Sequence, residues 1–84
     1  MTIFIDTNKF FADFLERYEV LSQKDDRLYE KYMKAESEGD TEKMKRLDRK
    51  MDMTCAKIDG LHEVLWMLGY TVKWQSDKFV IVHR

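Results

Sequence analysis

The sequence predicts an α+β chain, mainly α: a long antiparallel, coiled-coil-like helical hairpin followed by a C-terminal β-hairpin. Three observations carry this. Two apolar series step by three and four, a lone glycine, Gly39, separates them, and the period changes to two beyond Gly69. The 84 residues make one domain, 1–84, with a helix over 7–38, a helix over 41–68 and a β-hairpin over 70–83.

In the first helix the series is Phe11, Phe14, Tyr18, Leu21, Asp25, Leu28, Tyr32 and Ala35. These are the a and d positions of successive heptads, with one polar member. Asp6 is placed to cap its start, and Ile5 and Phe10 to staple it. Ile3, Phe4 and Ile5 read either as the first turn of that helix or as a short third strand beside the β-hairpin; the strand is the reading adopted.

Gly39 suits the left-handed residue that ends a helix, and Asp40 can cap the next. The second series is Met44, Leu47, Met51, Thr54, Ile58, Leu61, Leu65 and Leu68, stopped by Gly69. In an antiparallel hairpin, facing residues have numbers with a constant sum. Ala35 with Met44, Tyr32 with Leu47, Leu28 with Met51 and Leu21 with Ile58 all satisfy one sum, as do Tyr18 with Leu61, Phe14 with Leu65 and Phe11 with Leu68. Its midpoint falls between Gly39 and Asp40, where the turn is placed independently. Asp25 and Thr54 obey the same sum, so they are expected to share a polar layer that sets register, with the hydroxyl free to donate to the carboxylate.

Beyond Gly69, Tyr70, Val72 and Trp74 alternate with Thr71, Lys73 and Gln75, and Phe79-Val80-Ile81-Val82 follows a polar turn. A two-residue turn at Ser76-Asp77 pairs Trp74 with Phe79 and Val72 with Ile81; the lack of a glycine there leaves a four-residue loop as the alternative.

A helix of this length measures about 45 Å, half as long again as the roughly 30 Å width of a compact chain this size. The arm must therefore project, and its core must be thin. A homo-oligomer, most simply a two-fold dimer, follows as an expectation.

Composition narrows the function classes. Fifteen basic and sixteen acidic residues give a net charge of −1, and eleven aromatics argue against disorder. A single cysteine excludes a disulfide scaffold, and no apolar run has membrane-span length. With neither the basic start nor the apolar stretch of a signal peptide, a reduced, cytoplasmic protein is expected.

The seam has two unlike flanks. One carries Arg17, Lys24 and Lys31 on the first helix and Lys43, Lys50 and Lys57 on the second. Of these, Lys24, Lys31, Lys50 and Lys57 have no acid three or four residues away. This basic stripe reads as a solvated face or as a site for nucleic acid or an acidic partner. The other flank carries Leu15, Tyr29 and His62, and is assigned, with Met33, Met53 and Cys55, as the dimer or partner face. Of the apolar residues outside the seam, Phe10, Ala12, Leu15, Ala56, Val64, Trp66 and Met67, most are expected to be covered by the β-hairpin. Gly60, inside the second helix, reads as a point of close approach by another segment or as a mild kink.

Catalytic and cofactor chemistry finds no support. Cys55 lacks a CxxC companion, and His62 is too far along the helix to pair with it. Asp59 and His62 alone are not a zinc site, and neither a phosphate-binding glycine loop nor a nucleophile elbow is present. The chain therefore reads as a non-enzymatic protein–protein interaction module (an adaptor, regulator or inhibitor) that self-associates, without cofactor, metal or membrane. The alternative is a small nucleic-acid-binding regulator that uses the basic stripe.

Overall fold

The computed structural model describes residues 7–84. The expected Asp6 cap, the Ile5–Phe10 staple and the strand at Ile3–Ile5 involve residues outside that range. Four elements follow in order: α1 (Thr7–Ser37), α2 (Thr41–Met67), β1 (Tyr70–Gln75) and β2 (Lys78–His83). The shape is a rod, 57 × 32 × 19 Å, with a Cα radius of gyration of 16.4 Å. A compact chain of this length would have about 12 Å. No described helix is long and apolar enough to cross a membrane.

The turn between the helices is built as its residues demand. Gly39 has φ +69°, its N–H donates to the Glu36 carbonyl, and the Asp40 N–H donates to the Ala35 carbonyl. These two bonds form a Schellman motif, which needs a left-handed residue where the glycine stands. The Asp40 carboxylate then accepts from the Lys43 backbone N–H at 3.1 Å, capping α2. At the far end Gly69, at φ +92°, donates to the Trp66 carbonyl and accepts from the Arg84 N–H, so the last residue closes onto the end of α2.

The helices meet along the predicted seam. Leu28, Ala35 and Leu47 form a buried cluster, with Tyr32, Met44 and Met51 packed against it. That cluster unites three of the predicted pairs. Phe14 and Leu65 are buried near the other end. The last predicted pair does not form as expected. α2 stops at Met67, Leu68 stays exposed, and Phe11 instead meets Tyr70 edge-on at 5.0 Å.

The β-hairpin has the two-residue turn. Trp74 pairs with Phe79 and Val72 with Ile81. Ser76 and Asp77 both adopt positive φ, 51° and 62°, so the turn has the handedness that matches twisted strands, without a glycine. The hairpin runs up the arm from its base: Tyr70 packs on Phe11, and Phe79 meets Tyr18 edge-on at 4.8 Å.

Candidate functional site

The two residues expected to share a polar layer, Asp25 and Thr54, each bond to another partner. Thr54 is 2% exposed, but its hydroxyl donates to the Lys50 carbonyl in its own helix at 2.9 Å. The carbonyl four residues back is always within reach of a helical threonine. Half-buried Asp25 instead accepts a weak bond from the Cys55 thiol, Sγ to Oδ1 3.8 Å. Partial desolvation, then Asp25 by charge and hydrogen bond, then the charges of Asp59 and Asp52 push the thiol above its ordinary pKa. Cys55 is exposed yet held as a thiol, a poor nucleophile at neutral pH.

The flank assigned as a partner face is not one surface. Tyr29 is 56% exposed and Met33 is exposed as well, on the arm beyond the β-hairpin. Leu15 and His62 are half-buried lower down. His62 is engaged within the chain: its Nε2 lies 2.9 Å from the Tyr18 hydroxyl, and the two rings meet edge-on. Met53, 65% exposed, belongs with the lysines of the opposite flank. It follows the a-position Met51 by two residues, and that heptad position leans toward the basic side.

Four of the six residues of the expected basic stripe line one groove. Lys24, Arg27 and Lys31 from α1, with Lys50 and Lys57 from α2, surround a shallow groove of about 390 Å³ floored by Leu28 and Thr54, with exposed Met53 also in its lining. No ion pair among the described residues involves these lysines. Lys43 lies apart, half-buried beside the interhelix turn.

Arg17 leads to a second feature on the same face, which the sequence reading had assigned to the β-hairpin. A groove of about 1000 Å³ runs between the basal halves of the helices. Phe10, Phe14, Val20, Leu21, Leu61 and Val64 give it an apolar lining, and Gly60 lines it too. Asp13, Glu16, Arg17 and Lys57 complete the wall. No residue of β1 or β2 lines it. The expected cover for this region is therefore corrected: Val64 is 51% exposed, and Trp66 and Met67 are exposed too. The β-hairpin reaches the helices through Phe11 and Tyr18, on the side turned away from Val20 and Val64. The Arg84 guanidinium stacks over the Trp66 ring, 4.5 Å from its centre. Nor does a neighbouring segment explain Gly60, since a Cβ built there meets nothing within 4 Å.

One face of the rod thus carries an apolar groove at its base and a basic groove toward its tip, with Lys57 in both. The signal for it lay in Phe10, Val20 and Val64, which occupy the g and c positions beside the basic flank. Among the described residues no group of three or more His, Cys, Asp or Glu side chains is placed to hold a metal ion. Comparison of the chain with family models, with curated proteins and with solved structures yields no match.

Proposed function

We propose that the chain is a non-enzymatic protein–protein interaction module built on a self-associating helical hairpin. The observation that supports this reading best is the basal groove, which the β-hairpin leaves uncovered. Val20, 57% exposed, and Val64, 51% exposed, line the same groove, and no residue of the β-hairpin lines it. Contiguous apolar surface rimmed by charge is the usual composition of a docking face, while scattered single apolar residues carry no such meaning.

The test is affinity capture from lysate with the intact chain and with Val64→Glu, after circular dichroism shows that both are helical. A defined protein retained by the first and lost by the second supports the reading. A capture profile identical for the two overturns it.

The five cations around the basic groove favour a second reading, nucleic-acid binding. It is tested by fluorescence anisotropy of a labelled duplex and a labelled single strand at about 50 mM salt. Binding that weakens steeply with salt supports it, and no binding at that salt removes it.

A further inference from the structure

We infer that the basal groove is closed by a second copy of this chain, packed face to face and antiparallel, so that the two arm tips point away from each other. The inference rests on the interaction reading above and adds the occupant and its orientation.

Three observations select this occupant. The first is the order of charge along the groove. Along the groove Asp13 stands nearest the base, Glu16 and Arg17 follow at adjacent positions, and Lys57 lies toward the tip. The opposed helix numbering places Lys57 level with residue 22 of α1. A two-fold axis across the rod lays the acidic end of one groove on the basic end of the other. A two-fold axis along the rod would set acid on acid and base on base. The surface is therefore complementary to itself in one orientation.

The second observation is the basic groove beyond it. In the antiparallel arrangement the two sets of Lys24, Arg27, Lys31 and Lys50 lie at opposite ends of the assembly. In the parallel one they would face each other with no acid between. Like charges brought together at an interface repel, and of the two arrangements only the antiparallel dimer avoids that penalty.

The third is Gly60. An exposed glycine inside a helix is destabilising unless a backbone or ligand comes close, and none of the described residues comes within 4 Å of a Cβ built there. It sits in the groove between the apolar neighbours Leu61 and Val64 on one side and Lys57 on the other, leaving a notch into which a helix of the second copy can settle. The β-hairpin, on the other side of the rod, does not obstruct that approach.

Sedimentation equilibrium of the full chain over a concentration series, with pulsed dipolar spectroscopy, tests the inference. The expected result is a dimer that Val64→Glu and Val20→Glu each convert to monomer, with helical circular dichroism retained, and that Tyr29→Glu leaves intact. Spin labels on Ser37→Cys in a Cys55→Ser background should lie farther apart than the 57 Å length of one chain. A monomer at every concentration overturns the inference, as does a dimer indifferent to both valine variants, or labels much closer than that length. Its failure is separable from that of the broader reading: a monomer whose captured partner still depends on Val64 sinks the dimer alone.

Discussion

The Tyr18 hydroxyl lies 2.9 Å from His62 Nε2 while the Tyr18 ring meets Phe79 edge-on at 4.8 Å, so one side chain ties together both helices and the β-hairpin. Tyr18→Phe keeps the ring and removes the bond. It should cost about 1 kcal/mol in urea unfolding at pH 7, the usual worth of a part-buried hydrogen bond.

The same residue sets an alkaline limit. Burial raises the Tyr18 pKa, so the folded chain holds that proton more tightly than the unfolded chain does. The stabilisation is complete below the ordinary tyrosine value of about 10 and is lost as pH rises through the folded value. Melting curves from pH 8 to 11 should therefore fall less steeply for Tyr18→Phe than for the parent. Parallel curves would contradict this.

Asp25→Leu combined with Thr54→Val should raise stability by about 1 kcal/mol, or about 5 °C in Tm. The Thr54 hydroxyl serves only its own helix, and Asp25 is half-buried with a thiol as its partner. Its loss should also relax register, seen as a second set of amide resonances. A double variant that melts earlier than the parent would show that the layer stabilises the hairpin rather than merely aligning it.

Ser76→Asn with Asp77→Gly should stabilise the β-hairpin by about 1 kcal/mol, because both native residues hold a left-handed conformation that Asn-Gly adopts more readily. The gain is read from the denaturation midpoint. An unchanged midpoint would mean that the strands separate before the rest of the chain unfolds.

Gly60→Ala should gain about 1 kcal/mol in the free chain, where the added methyl meets only open space. The clean measurement is urea unfolding in the Val64→Glu background, which removes any contribution from a second copy. A loss of stability there would point to a contact within one chain.

Local signals made most of the fold legible. Gly39, Asp40 and Gly69 mark the helix ends through backbone needs confined to a few residues. The seam and the strand register follow from periodicity, which is also local. The side of the rod taken by the β-hairpin was not legible, because it depends on tertiary contacts of Phe11 and Tyr18 whose heptad positions serve either side. That one choice decides which apolar residues are covered, and so the reading of Val64 and Met67 went astray with it. Met53 stands two residues beyond Met51, a heptad position that turns toward the basic flank. The Cys55 thiol and Asp25 meet only because adjacent residues of α2 flank the same layer.

The Asp25–Thr54 rung also divides the thin core. Leu28, Ala35 and Leu47 lie on its tip side, and Phe14 and Leu65 on its basal side. Two short greasy patches with a hydrophilic spacer need not melt together. The outer patch has only the interhelix turn to brace it, whereas the inner one is clamped by aromatic rings from the strands. Amide exchange should accordingly be fastest around Gly39 and slow in steps toward Leu65, and a protease should first nick the loop end and peel the rods apart from there.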